Sequence, residues 1–289
     1  MLGAFRKPGK QAPPASNQAP MPELPEVETT RRGIAPELTG HQATGVVIRN
    51  GRLRQPIPPD LEATLASQRL EAGERRAKYL LFRFESGSLL VHLGMSGSLR
   101  IVAAGLVPEK HDHLDIVFTP RALRLRDPRR FGLVLWQAGE TPHPLLAHLG
   151  IEPLSDGFDG RWLHQASRGR RIPVKLFLMD AAQVVGIGNI YASESLFRAG
   201  IDPTLPVGEL GPRRCARLAN CIRETLTDAL AAGGSTLRDF VGSNGSPGYF
   251  QQQYFVYGRD GEPCRQCATP IRKRIMGQRA TFFCARCQH

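Results

Sequence analysis

Four cysteines near the C-terminus constrain this chain more tightly than any other stretch: they fall as Cys264-x2-Cys267-x16-Cys284-x2-Cys287. Two such pairs at that separation match a four-thiolate zinc ribbon, in which two short turns grip one Zn2+ in a tetrahedron. Four protein ligands leave no open position on the metal, so the ion is expected to be structural. The hairpin between the pairs is too small to fold without it. Cys215 and Cys221 lie apart from the cluster in a helical pattern. Metal spacing of this kind points to a reducing compartment.

Lys and Arg outnumber Asp and Glu by 38 to 26, a formal net charge of +12. An excess of this size calls for a polyanionic partner such as nucleic acid. An anionic membrane would answer the charge equally, but there is no apolar run of about 18 residues and no basic amphipathic helix. The 289 residues suffice for two domains with real cores.

Residues 1–20 (MLGAFRKPGKQAPPASNQAP) are rich in Pro, Ala and Gln and lack the apolar segment of a signal peptide. They read as a disordered extension or an early start, giving a first segment of 1–21. A short helix then follows from Glu23 to about Ile34, with Gly33 as its expected end. Between Gly45 and Gln137 the pattern is of short alternating runs: Val46–Ile48, Tyr79–Phe84, Leu89–Leu93, Ser98–Val102, Leu114–Phe118, Leu123–Arg126 and Leu133–Trp136. These predict an antiparallel sandwich, interrupted by a helix from about Pro59 to Ser67. The Pro, Asp and Gly of GIEPLSDGFDG mark a linker at 151–160. Beyond it the periodicity is helical at Gly160–Ser167, Val174–Met179, Asn189–Ala199, Pro212–Ala232 and Thr236–Phe240. The expected fold class is α+β multidomain: a β-sandwich domain over 22–150, a helical domain over 161–252 and a zinc module over 253–289.

Several stretches carry chemistry. In Met21-Pro22-Glu23-Leu24-Pro25-Glu26-Val27-Glu28, a chain beginning at Pro22 would present a secondary amine beside a carboxylate. An α-amino group has a pKa of about 7.7–8.0, so a useful fraction is unprotonated near neutrality. Read locally, Pro22 is an ordinary first helical residue and the acids answer the positive helix end. With residues 1–21 attached, the Pro22 nitrogen is an amide and no nucleophile.

Asp127-Pro128-Arg129-Arg130-Phe131-Gly132 puts cations beside an aromatic ring at a turn, as a base-displacing wedge requires, although a core Phe131 in a plain hairpin reads the same. His92-Leu93-Gly94-Met95-Ser96-Gly97 is a second such turn with Met95 at its tip. Val185-Gly186-Ile187-Gly188-Asn189-Ile190 offers backbone amides at a helix entrance, either for a phosphate or simply as a helix start. Arg272, Lys273, Arg274 and Arg279 make the zinc hairpin cationic. Lys78, by local features, is an ordinary surface lysine. The loop Val241–Gln253, with Tyr249 and Phe250, reads as a lid or a connector.

Taken together, PELPEVE, DPRRFG, GIGNIYASE, SPGYF and QRATFFCARCQ resemble the formamidopyrimidine-DNA glycosylase family of bacterial repair enzymes over residues 22–289. The resemblance implies a β-sandwich with a leading helix, a helix–two-turn–helix domain and a β-hairpin zinc finger. It implies a bifunctional glycosylase and lyase for oxidised purines such as 8-oxoguanine opposite cytosine. By the same resemblance Pro22 is the Schiff-base nucleophile, Glu23 the general acid and Lys78 an assisting lysine. Asn189 and Arg279 grip phosphates around the lesion, and His92 and Lys175 touch DNA. Met95, Arg129 and Phe131 fill the space of the extruded nucleotide, and Tyr249 and Phe250 belong to a loop that caps the extruded base. It further implies a monomer on lesion-bearing duplex DNA, one structural zinc, and a cytoplasmic place at the bacterial nucleoid. Two other readings stay open: the sister endonuclease VIII, acting on oxidised pyrimidines, and a non-catalytic zinc-ribbon protein that binds lesions with Pro22 blocked.

Overall fold

The computed structural model describes residues 21–234 and 254–289. Helix α1 (Leu24–Leu38) opens the chain, followed by β1 (Gly45–Ile48), α2 (Leu61–Leu65) and strands β2 (Leu70–Arg76), β3 (Tyr79–Phe84), β4 (Gly87–His92), β5 (Ser98–Ala103), β6 (Asp112–Phe118), β7 (Arg121–Arg126) and β8 (Leu133–Ala138). These strands form two antiparallel four-stranded sheets, ordered β1-β6-β7-β5 and β2-β3-β4-β8. Alternation puts Leu80, Phe82 and Phe84 of one sheet and Leu114, Ile116 and Phe118 of the other into a shared core. Val27, Ile34 and Leu38 of α1 close that core at one side.

Helices α3 (Pro144–Ala147), α4 (Gly160–Ser167), α5 (Val174–Met179), α6 (Asn189–Arg198) and α7 (Pro212–Ala231) follow. All but α3 build a second core, in which Phe177, Tyr191, Leu196, Leu218, Ile222 and Leu226 are buried. A hairpin of β9 (Arg272–Met276) and β10 (Arg279–Phe283) carries the third, small core around Phe197, Ile271 and Phe282. Among the described residues no helix is long and apolar enough to cross a membrane.

The predicted strands all form, and so do the helices within the described residues; two local expectations need correction. Helix α1 does not stop at Gly33 but runs through Pro36 to Leu38. Ile34, Ala35 and Leu38 continue the buried stripe, and Pro36 lies on the exposed face, where the carbonyl it leaves unbonded can take water. Strand β2 is absent from the predicted runs, because Glu71, Glu74, Arg75 and Arg76 mask its alternation and its register shifts between Leu70 and Ala72. The expected helix at Thr236–Phe240 lies outside the described residues.

The first sheet encloses a charge network. Arg124, 1% exposed, donates through Nε and Nη2 to the two oxygens of Asp115 at 2.8 and 2.7 Å, and Arg49 donates to the same carboxylate at 2.5 Å. Burial works against the charged form of Asp115, but the hydrogen bonds from Arg124 and Arg49 outweigh it and hold the carboxyl below its ordinary range. Removing one partner of a buried pair strands the other. Asp115→Ala is therefore expected to cost about 3–5 kcal/mol in urea unfolding. A loss under about 1 kcal/mol would mean that Arg124 is served by its other partners or by water.

Candidate active site and nucleic-acid interface

Glu23 is the hinge of the site. It stands at the N-cap of α1, 2% exposed, and its backbone N–H donates to the Glu26 carboxylate at 2.8 Å. Its own carboxyl reaches the start of α6 and accepts from the backbone N–H of Gly188 at 2.7 Å, Ile190 at 2.9 Å and Tyr191 at 3.3 Å. A helix N-terminus welcomes negative charge, so this fit is electrostatic as well as geometric. A Cβ at position 188 would overlap the Glu23 carboxyl carbon, which is why glycine stands there. These amides are therefore occupied by a side chain, and the helix entrance is not an open phosphate cradle.

Burial pushes the Glu23 carboxyl up; Lys78 draws it down, Glu26 pushes it further up, and the α6 amides draw it down, with burial prevailing. Glu26 is itself tied in, accepting from Tyr191 Oη at 2.6 Å. Pro22, buried, is bonded directly to Glu23, and Met21 acylates its nitrogen in this chain.

Lys78 is not the ordinary surface lysine of the local reading. It is partly buried, at the turn between β2 and β3; burial lowers its pKa, Glu23 and Glu26 raise it, and Arg279 lowers it. The turn places it by long-range packing, to which sequence neighbours give no clue. Lys175, 0% exposed on α5, donates to Asn189 Oδ1 and Thr281 Oγ1, both at 2.7 Å. Asn189 donates in turn to the Ala280 carbonyl at 2.9 Å. Burial brings the Lys175 ammonium down to about 7, with Glu23 pulling upward. Lys175 and Asn189 are thus joined to the zinc hairpin beside the exposed Arg279.

His92 ends β4, its ring 4.9 Å from that of Tyr79. Its Nδ1 accepts from the Gly94 N–H at 3.0 Å, which fixes the proton of the neutral ring on Nε2. Burial, then the charges of Lys78 and Arg54, lower its pKa to about 4. Beyond it Met95 is partly exposed in the loop between β4 and β5. Phe131 is 45% exposed, so it is not the core residue of a plain hairpin, and the Arg129 guanidinium lies 5.0 Å above its ring centroid. Tyr249 and Phe250 lie outside the described residues.

The four thiols meet as the spacing requires. Their sulfurs lie within 4.8 Å of one another, with Cys264 to Cys287 at 3.9 Å and Cys267 to Cys284 at 3.5 Å. A tetrahedron with Zn–S of about 2.3 Å has edges of about 3.8 Å, so the sulfur set fits one Zn2+ with no position left over. Sequence reasoning missed Glu194, whose buried carboxylate accepts from the backbone N–H of Phe255, Val256 and Tyr257 at 2.8, 3.0 and 2.8 Å. It anchors the lead into the zinc module to α6. A lone glutamate in a helical pattern gives no sign of such a role.

Comparison with known proteins covers most of the chain, with the family models beginning at residue 21. Residues 21–134 match the family model of the formamidopyrimidine-DNA glycosylase N-terminal domain, 149–241 that of its H2TH domain, and 261–289 that of a zinc finger found in FPG and IleRS. A formamidopyrimidine-DNA glycosylase of Aromatoleum aromaticum is 64% identical over 93% of this chain and 99% of the relative, and one of Stutzerimonas stutzeri is 58% identical over 93% and 100%. The crystal structure of the MutM (FPG) protein of Thermus thermophilus superposes with a TM-score of 0.82 at 39% identity, covering 92% of this chain and 98% of that one. The Lactococcus lactis FPG (MutM) in complex with a Fapy-dG containing DNA superposes with a TM-score of 0.85 at 32% identity, covering 92% and 100%.

The lowered pKa of His92 has a measurable consequence. The folded protein resists protonating this ring while the unfolded chain does not, so its contribution to stability is present above 6.5 and is lost as pH falls through about 4. His92→Gln is expected to flatten the stability-versus-pH curve over that interval in denaturant titrations. An unchanged slope would show that the ring is charged in the folded state.

Proposed function

The chain belongs to the formamidopyrimidine-DNA glycosylase family and is a DNA glycosylase with AP lyase activity on oxidised purines, and we propose that Pro22 and Glu23 carry its chemistry. The observation that carries this assignment is the buried Glu23 carboxyl, bonded in sequence to Pro22 and oriented by the amides of α6. The amine of Pro22, free in a chain that begins there, attacks C1′ of the extruded nucleotide. The N-glycosidic bond breaks with its electrons leaving on the base, and the proton shed by the attacking secondary amine neutralises that base. Glu23, whose carboxyl burial raises above its ordinary range, gives its proton to the sugar ring oxygen as the ring opens to an iminium between Pro22 and C1′. The cationic iminium acidifies the neighbouring sugar protons, and β- and δ-elimination then cut the strand on both sides. Lys78, whose charge couples to Glu23 and Arg279, assists at the damaged nucleotide.

Duplex DNA bearing oxidised bases is the partner. Asn189, Arg279 and Lys175 face its phosphates, His92 lies beside the damaged nucleotide, and Met95, Arg129 and Phe131 enter the space that it vacates. Tyr249 and Phe250 cap the extruded base. Labour divides among a catalytic sandwich (22–150), a linker (151–160), a helical DNA-gripping domain (161–252) and a zinc finger (253–289) whose one Zn2+ is structural. One chain carries every part, so it works as a monomer, in the bacterial cytoplasm where the chromosome lies.

Two measurements test this. For a chain beginning at Pro22, the rate of 8-oxoguanine release is expected to rise with pH as the amine loses its proton and to fall as Glu23 loses its own. Glu23→Gln should lower release by about 10²–10⁴-fold and abolish the alkaline limb while leaving duplex binding intact. Retained release would remove Glu23 from the reaction.

Lys175 gives a second readout. A phosphate arriving beside an ammonium whose pKa is about 7 raises that pKa, so binding takes up protons near neutrality. Calorimetry in buffers of different ionisation enthalpy should detect this uptake in the native protein and not in Lys175→Met. Equal uptake in both would exclude Lys175 as a phosphate contact.

A further inference from the structure

The two loops proposed to enter the duplex come from distant parts of the sandwich. Met95 sits in the loop from β4 to β5, and Arg129 and Phe131 in the loop from β7 to β8. A wedge of three side chains held on two independent loops would lose orientational freedom each time it inserted. These loops are not independent. Asp127, 0% exposed, accepts at Oδ1 from Ser96 Oγ at 2.7 Å and from the Arg129 N–H at 3.3 Å, and at Oδ2 from the Gly132 N–H at 2.8 Å. Ser96 Oγ accepts in turn from the Arg129 N–H at 3.1 Å. One buried carboxylate therefore spans both ends of the Arg129–Phe131 turn and, through Ser96, the turn that carries Met95.

Two further contacts lock the same joint. The Asp127 carbonyl accepts from the buried His113 Nε2 at 2.8 Å, which ties it to β6. Gly94, at φ +64°, sits so close that a Cβ there would lie 2.5 Å from the Phe131 carbonyl carbon, so the loops touch backbone to backbone. Arg130 adopts φ +57°, a conformation that an unsupported turn would not favour for arginine. The partners of the Asp127 carboxylate among the described residues are these hydroxyl and amide donors. A carboxylate so held is costly to weaken, because every donor it serves is itself buried or at the turn.

We propose that Asp127 and Ser96 are positioning residues that fasten the Met95 loop to the Arg129–Phe131 loop, so that the wedge enters DNA as one preformed unit. The inference rests on the assignment of those three side chains to the vacated space. Neither residue touches substrate; both act through the backbone of the wedge. The step that depends on them is extrusion of an intact damaged base and reading of the base opposite. Processing of a ready-made abasic site, which has no base to displace, depends on them far less.

The experiment compares two reactions in the same protein beginning at Pro22, as wild type, Asp127→Asn, Ser96→Ala and the double variant. Asp127→Asn swaps an accepting oxygen for an NH2 group that faces N–H or O–H donors. It is expected to slow 8-oxoguanine release opposite cytosine about tenfold or more, to reduce the preference for cytosine over adenine opposite the lesion, and to leave incision of a preformed abasic duplex within about threefold. Ser96→Ala, the milder change, should follow in the same direction, and the double variant should lose no more than Asp127→Asn alone. Equal losses on both substrates would mark the pair as merely structural and overturn the proposal, as would unchanged release in both single variants. Additive losses would show that the two side chains do not act as one joint. If the wild-type protein releases no 8-oxoguanine and cuts no abasic site, the functional assignment fails, and it fails separately from the joint.

Discussion

The carboxyl of Glu23 on the first amides of α6 is the interaction on which the rest of the site depends. It ties the N-terminus of α1, which belongs to the sandwich core, to the helix that organises the second core. With the Tyr191 hydroxyl on Glu26 and the Leu24 N–H on the Gly186 carbonyl, it fixes where Pro22 stands relative to the helical domain. It also buries an acid against a helix dipole, where desolvation favours the protonated form and the amides favour the ionised one. Burial prevails and raises the carboxyl above its ordinary range, the direction that suits a group asked to donate a proton.

Around this joint the cations are arranged in graded burial. Lys175 is fully enclosed, Lys78 partly, and Arg279 exposed on the hairpin whose fold the zinc maintains. Lys175 on Thr281 and Asn189 on Ala280 anchor that hairpin to α5 and α6, and Glu194 anchors the segment leading into it. The register of β9 and β10 brings Ala280 and Thr281 to Lys175 and Asn189, and a zinc ion on the four thiolates would stabilise that hairpin without touching the site. The net positive charge of the chain works at longer range, and its effect should fade with salt as phosphate counterions compete.

Much of this is legible in the sequence. The cysteine spacing specifies the metal site and its hairpin, the alternation specifies the sandwich strands other than β2, and the 3.6-residue period specifies α4 to α7. What stays hidden depends on tertiary contact. Lys78 carries no local mark, since its burial comes from a turn packed near Glu23 and Glu26. The amides at Gly188 read equally as a phosphate site or a plain helix start, because their occupant lies 165 residues away in sequence. Glu194 and Asp127 each look like one more charged residue until the N–H groups they serve are brought around them by folding. Gly33 misplaces the end of α1 because it is a local signal, whereas the buried stripe that carries the helix on to Leu38 is a tertiary one.

The most direct test of the amine mechanism is borohydride trapping on an 8-oxoguanine·cytosine duplex, with the chain beginning at Pro22 and the chain retaining residues 1–21 assayed side by side. Reduction of an imine should leave a covalent protein–DNA adduct with the first chain and none with the second. Binding without any adduct from either chain, or equal adducts from both, would contradict a nucleophile at the Pro22 nitrogen.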